Sequence, residues 1–294
     1  MPADKTRPVL VTGGTGKTGA AVLAALAARG VRARALVRKE TDRDRLQPIA
    51  DPVVADFDDA GSLVAALAGV GSAYLVTPSS ERAEEQQLRF AELALGAGVR
   101  RLVVLSQLGA DEESPVRFLR YHAVVERHVR ELGLDYTFLR PNLYFQGLLD
   151  LAPLIAAQDR FFAAIGDAKV SAVDVRDIGD VAAAALTESR HERRTYTLTG
   201  PAAITHHEMA AALTSAVGRQ ISFVDVSPEE FAAGLAGVLP PWQVEGMLED
   251  YAHYRRGEAA AVSPDVAEVT GHPARDVAEF ARDHAPAFRP PAEP

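Results

Sequence analysis

From residue 8 to residue 106 the chain alternates between two kinds of segment. Short β-branched or apolar runs occur at Val9–Thr12, Val31–Val37, Val53–Ala55, Ala73–Val76 and Leu102–Ser106. Between them lie segments of helical period at Lys17–Ala28, Asp42–Ile49, Asp59–Leu67 and Glu81–Leu95. Gly30, Gly69 and Gly98 stand just past helix ends, where a left-handed residue is wanted. A strand that must cross over through a helix before the next strand gives a parallel sheet. Right-handed crossovers wind that sheet on both faces. The expected class is therefore α/β: a Rossmann-type doubly wound parallel sheet with a smaller C-terminal α/β lobe.

A helix is expected from Ser114-Pro115, an N-cap followed by Pro, to about Leu132, and Asp135–Arg140 as a sixth strand broken by Pro141. After about residue 145 the alternation loosens. Strands are expected at Lys169–Val175, Arg194–Thr199 and Ile221–Val226, and a helix over Asp177–Leu186. Thr205…Glu208 and Ser227…Glu230 read as capping boxes that open helices. Further helices are expected over Pro240–Arg256, from Ser263-Pro264, and over Asp276–His284. The division expected is a nucleotide-binding part over 1–145, with later segments returning to it, a substrate lobe over 146–286, and a loose tail over 287–294.

The first strand runs into Thr12-Gly13-Gly14-Thr15-Gly16-Lys17-Thr18-Gly19. Gly13, Gly16 and Gly19 allow a tight turn and a close backbone approach to a pyrophosphate, and the helix that follows offers free N–H groups and a positive dipole end. A Walker loop would need Gly where Thr12 stands, which sets phosphoryl transfer aside. The second strand ends in Arg38-Lys39 rather than in a carboxylate. Cations at that tip favour a 2′-phosphate, hence NADP(H) over NAD(H). Asp56-Phe57, at the end of the third strand, reads equally as a border for adenine and as a plain strand-end turn.

With 294 residues, 48% hydrophobic and 24% charged, the chain has material for a large core. Its net charge of −9 offers no basic footprint for nucleic acid. There is no cysteine, hence no thiolate chemistry. No signal-peptide pattern and no membrane-length apolar run is present, so a cytoplasmic location is expected, with no membrane partner. A homodimer is as consistent with the sequence as a monomer. His206-His207-Glu208 invites a metal reading, but adjacent helical side chains diverge and Glu208 belongs to the capping box, so no metal site is assigned. Trp242, Phe161, Phe162 and Phe231 are available to line an apolar pocket.

The runs Thr12–Gly19, Ala35-Leu36-Val37-Arg38, Ala55-Asp56-Phe57-Asp58, and His122…Glu126…Gly133…Tyr136–Asn142 resemble the NmrA-like branch of the atypical short-chain dehydrogenase/reductases. The likeness is to its NAD(P)H:quinone oxidoreductase and triphenylmethane reductase group. That resemblance implies nucleotide contacts at Gly13, Thr15, Gly16, Lys17 and Thr18, with Arg38 at the 2′-phosphate. It implies Thr77, Pro78 and Ser79 beside the nicotinamide-side ribose, and Asn142 and Tyr144 flanking the nicotinamide.

The Tyr-x-x-x-Lys dyad of ordinary short-chain dehydrogenases is absent: the four lysines are Lys5, Lys17, Lys39 and Lys169, and none follows a tyrosine by four. A ketone reduced to an alkoxide needs a strong acid. A quinone or a cationic dye takes hydride with little help, so positioning supplies much of the rate. The expected activity is transfer of hydride from NADPH to a quinone-like or other conjugated, electron-poor small molecule, with natural-product iminium or enone reduction as a variant. His122, Tyr144, Ser106 and Tyr121 are the candidate helpers, His122 because imidazole titrates near neutrality. The alternative is a non-catalytic NADP(H)-sensing regulator.

Overall fold

The computed structural model describes residues 7–290. Among them, seven strands form one parallel sheet: β1 Val9–Val11, β2 Ala33–Val37, β3 Ala50–Val54, β4 Ser72–Leu75, β5 Arg101–Leu105, β6 Asp135–Pro141 and, after the separate strand β7 (Arg160–Ala163), β8 Arg194–Leu198. Their order is β3-β2-β1-β4-β5-β6-β8. The order reverses between β1 and β4, and an open α/β sheet leaves a crevice at that switch point, outside the carboxyl ends of its strands.

The strands alternate in which face they bury, as a period of two requires. Val9, Val11, Ala35, Val37, Tyr74, Val103 and Leu139 pack on one side against Val22, Leu26, Ile178, Val181 and Ala182. Leu10, Leu36, Ala73, Leu75, Leu102, Val104 and Phe138 pack on the other against Leu63, Leu67, Phe90, Ala91, Val125 and Val129. The first face is covered by helices Lys17–Ala28 and Val175–Thr187, so a helix from late in the chain completes the sandwich. Residues 175–198 thus return to the large sheet.

A second, two-stranded parallel sheet pairs β7 Arg160–Ala163 with β9 Ser222–Asp225. It shares a core with helices Ala152–Gln158, His206–Val217 and Val277–His284 through Ile155, Phe161, Leu213, Phe223 and Phe280. Phe288, within the stretch expected to be a loose tail, is fully buried there in a short 3-10 turn; residues 291–294 of that stretch lie outside the described residues.

Several elements differ from the sequence reading. The helix expected from Ser114-Pro115 starts at Arg117, because the N–H of Arg117 is taken by Glu249 Oε2 at 2.7 Å while Val116 stays extended. Pro141 does not break β6: its carbonyl accepts from Leu108 N at 2.9 Å, and the strand runs through it opposite Leu198. The expected strand over Lys169–Val175 is reduced to isolated bridges, Val170 with Ile204 and Tyr144 with Val173, since no neighbouring strand runs alongside it. The helix expected over Asp42–Ile49 is a 3-10 turn, Glu40–Asp42, followed by the single turn Arg43–Leu46. β7 and the helices Gly147–Asp150 and Ala152–Gln158 carry no periodic signal and form because the second core needs them. Both capping boxes are present in full, at Thr205/Glu208 and Ser227/Glu230.

Candidate active site

A cleft of about 570 Å³ opens over the carboxyl ends of β1, β4, β5 and β6. Its β1 side is backbone. Gly13 sits at φ +63°, a conformation that side chains resist, and a Cβ on it would stand 2.6 Å from Val76 Cγ1. Thr12 Oγ1 ties the loop to β4 twice, donating to Val76 O and accepting from Val76 N, each at 2.8 Å. Gly16 precedes helix Lys17–Ala28 without any side-chain cap, and no acidic residue occupies the first turn. Its leading N–H groups are left for an anion. Gly13, Thr15, Gly16, Lys17 and Thr18 line the cleft. Gly19 does not: a Cβ there would fall on the Gly13 carbonyl, so this glycine lets the helix seat against the loop.

Lys17 reaches across to Asp150 at 2.7 Å, an exposed pair joining the first helix to the second lobe. Arg38 and Lys39 are exposed at the tip of β2 and, among the described residues, form no ion pair. Asp56 accepts from Asp58 N at 2.9 Å in a tight turn, and Phe57 is buried against Phe90 with ring centres 5.8 Å apart. Arg38, Lys39, Asp56 and Phe57 lie outside the enclosed cleft, and Asp56-Phe57 forms a turn at the end of β3 over core.

The β4 loop brings in Thr77, Pro78 and Ser79. Gln87 Nε2 donates to Thr77 Oγ1 at 2.9 Å, while the buried Gln87 Oε1 has no partner. Ser106, at the end of β5, lines the cleft, but its hydroxyl donates to Glu126 Oε1 at 2.6 Å. Glu126 is fully buried and also takes Arg140 at 2.7 and 2.8 Å and Arg130 at 2.8 Å. Burial opposes its charge, yet the hydrogen bonds from Arg140 and Ser106 and both guanidinium charges together hold its pKa below the ordinary value. The carboxylate is a fixed anchor beneath the cleft.

His122 lines the cleft one turn before Glu126 but makes no bond to it. Its Nδ1 is buried without a partner. Burial drives its pKa down to about 3, outweighing the pull of Glu126, so the ring is neutral at pH 7. The expectation that His122 titrates near neutrality is corrected by this desolvation. Asn142 commits its amide elsewhere: Nδ2 donates to Ser171 Oγ at 2.9 Å and Ala259 O at 2.8 Å, and Oδ1 accepts from Leu143 N. It shapes the wall of the cleft rather than offering a free polar group. Tyr144 and Tyr121 line the wall, and burial raises both phenols well above their usual range.

The rest of the wall comes from helix Pro241–Arg255, which presents Gln243, Asp250 and Tyr254. Gln107 Nε2 donates to both Asp250 oxygens, at 3.0 and 3.1 Å. Nothing in the local sequence marks Asp250, Gln107 or Gln87 as site residues. Trp242 does not line the cleft; it packs on Phe118, ring centres 5.3 Å apart. Phe161 is core, and Phe231 packs against Tyr251. His206 is buried against Phe161 and Phe223, while His207 packs on Phe223, ring centres 5.0 Å apart, and faces Asp167 at 3.6 Å.

The NmrA-like family model matches residues 5–280. The chain belongs to the NmrA-like family. It is 36% identical to an NAD(P)H azoreductase of Xenophilus azovorans, over 95% of this chain and 99% of that one. It is also 36% identical to a (4-alkanoyl-5-oxo-2,5-dihydrofuran-3-yl)methyl phosphate reductase of Streptomyces griseus, over 96% and 99%. Among solved structures, the NADPH complex of an NADPH-dependent quinone oxidoreductase from Escherichia coli superposes with a TM-score of 0.83 at 28% identity, covering 94% of this chain and 99% of that one. Like these relatives, this NmrA-like chain is an oxidoreductase. Among the described residues, no helix of it is long and apolar enough to cross a membrane.

Proposed function

We propose that this NmrA-like protein is an NADPH-dependent reductase of quinone-like or otherwise conjugated, electron-poor small molecules. One observation carries the reading: a single cleft joins an uncapped helix N-terminus and glycine turn on one side to an aromatic wall on the other. The residues present fit a dinucleotide. The open first turn of helix Lys17–Ala28 suits a pyrophosphate, and the exposed Arg38 and Lys39 suit a 2′-phosphate. Bound there, NADPH supplies the hydride. The β4 loop then lies under the ribose of the reacting half, and Tyr144, Tyr121, Tyr254 and Phe118 flank the acceptor and keep water off it. In this reading residues 1–145 hold the nucleotide and supply most of the acceptor wall, and the 146–286 lobe closes it with Gln243, Asp250 and Tyr254.

NADPH oxidation by wild type and Arg38→Ala, with NADH in parallel and a panel of quinones, triarylmethane dyes and azo compounds, tests the proposal. The expected result is acceptor-dependent turnover that prefers NADPH, the preference falling about 10-fold or more in the variant as one charge-assisted contact is lost. Tight NADPH binding with no turnover on any acceptor would instead indicate a nucleotide-sensing protein.

A further inference from the structure

The wall of the cleft holds one carboxyl group that the reading above does not use. Asp250 projects from helix Pro241–Arg255 onto the loop that follows β5. Gln107 serves both of its oxygens from one amide nitrogen. Among the described residues no cation pairs with Asp250, whereas its neighbour Glu249 is gripped by Arg117 at 2.7 Å. The groups facing it are Gln107 from the β5 loop, Tyr121 from helix Arg117–Glu131, and Glu249, Tyr251 and Tyr254 from its own helix.

Position matters as much as environment. With the 2′-phosphate at the β2 tip and the pyrophosphate over β1, the reacting ring lies on the other side of the switch point, over β4 and β5. Asp250 stands at β5. The other candidate acids of the cleft are spent or poor. The Ser106 hydroxyl is committed to a hydrogen bond with Glu126, His122 is held neutral, and the half-buried tyrosines are weakened as acids by desolvation. We propose that Asp250 is the acid of this site, giving its proton to the oxygen or nitrogen of the acceptor that gains charge as hydride arrives. The assignment rests on the NADPH reductase reading and sharpens it. The favoured acceptors become neutral conjugated carbonyl or N=N compounds, whose reduced forms are basic, and not only cationic dyes.

The step balances. One end of the conjugated bond receives hydride from the reduced nicotinamide, which is oxidised. The bond's electron pair moves to the oxygen or nitrogen at the other end, which takes the Asp250 proton. Gln107 then holds the carboxylate until water reprotonates it. Burial raises Asp250, helped by the charge of Glu249 and opposed by the Gln107 hydrogen bond, to about 7, so much of it is protonated near neutrality.

The test uses wild type, Asp250→Asn and Gln107→Leu with NADPH. One acceptor is a neutral conjugated carbonyl compound; the other is a cationic triarylmethane dye, whose reduction needs no proton. For the carbonyl compound, wild-type kcat/KM falls as pH rises through about 7. Asp250→Asn lowers it about 10²-fold and removes that limb, Gln107→Leu moves the limb to higher pH, and kcat for the dye, whose reduction needs no proton, falls far less than for the carbonyl compound and shows no such limb. Infrared titration of the nucleotide-free protein supplies a readout besides activity: a carboxylic acid band lost near pH 7 and missing from Asp250→Asn. Wild-type turnover with an unmoved profile in both variants overturns the Asp250 assignment alone, as does an equal loss on both acceptors. A wild type that reduces neither acceptor overturns the reductase reading and this inference together.

Discussion

The two ends of the cleft are built from different materials. The β1 end is a continuous stretch, Gly13 to Thr18, whose functional atoms are backbone N–H groups; it is tied by the reciprocal Thr12–Val76 pair and by the exposed Lys17–Asp150 ion pair. The acceptor end is assembled from four separate stretches, after β5, along helix Arg117–Glu131, after β6 and along helix Pro241–Arg255. Long-range bonds hold them together: Arg117 to Glu249, Gln107 to Asp250, and Asn142 to Ser171 and Ala259. Peptide groups do not titrate and are placed by local geometry. Side chains brought into a half-closed, aromatic space do titrate, and desolvation moves them, His122 down and Asp250 up. Above the second ionisation of the 2′-phosphate, at about pH 6, nucleotide binding is therefore expected to be steady with pH, and turnover to depend on it.

The largest blow to both ends at once is Glu126→Ala. It leaves Arg140 and Ser106 without the acceptor that fixes them beneath the cleft. Removing one partner of a buried ion pair costs about 3–5 kcal/mol, read as a drop in the urea midpoint. A loss below about 1 kcal/mol would mean that the floor is held by packing alone.

Gly13→Ala separates the ends. It forces a side chain into the left-handed region and against the β-branched Val76. A strain of about 1–3 kcal/mol in the nucleotide loop, where bound nucleotide holds the loop in this conformation, corresponds to about a 5- to 150-fold rise in the NADPH Kd. The pH profile of turnover on saturating nucleotide should keep its shape. A changed profile would show that the two ends are coupled.

The smallest effect is a pH dependence of stability at the acceptor end. The folded-state pKa of His122, about 3, lies below the 6.5 of a free imidazole. Between those values the unfolded chain binds the extra proton, so the contribution of His122 is complete above 6.5 and is lost as pH falls toward 3. One unit below 6.5 the cost is about 1 kcal/mol. Asp250 has the opposite sign: its pKa is raised, so its contribution is lost as pH rises toward 7. His122→Leu should flatten the acid side of the stability curve and leave the neutral side alone, as followed by thermal melts. A curve unchanged on the acid side would place the ring in water.

What the sequence alone determined is what depends on neighbours along the chain. Period-two and helical patterns set the first five strands and their crossovers, to within a few residues. The glycine spacing set the turn before helix Lys17–Ala28, and Thr205…Glu208 and Ser227…Glu230 set two helix starts. These signals are local because backbone conformation and first-turn N–H groups are satisfied within a few residues. Tertiary structure decided the rest. Glu249 moved a helix start from Ser114-Pro115 to Arg117, Glu126 took the Ser106 hydroxyl, and burial drove the His122 pKa down. The same fold brought Asp250, distant in sequence, to Gln107. A proton affinity is fixed by the water a group loses and the partner it gains, and in this cleft both come from elements far apart in the chain.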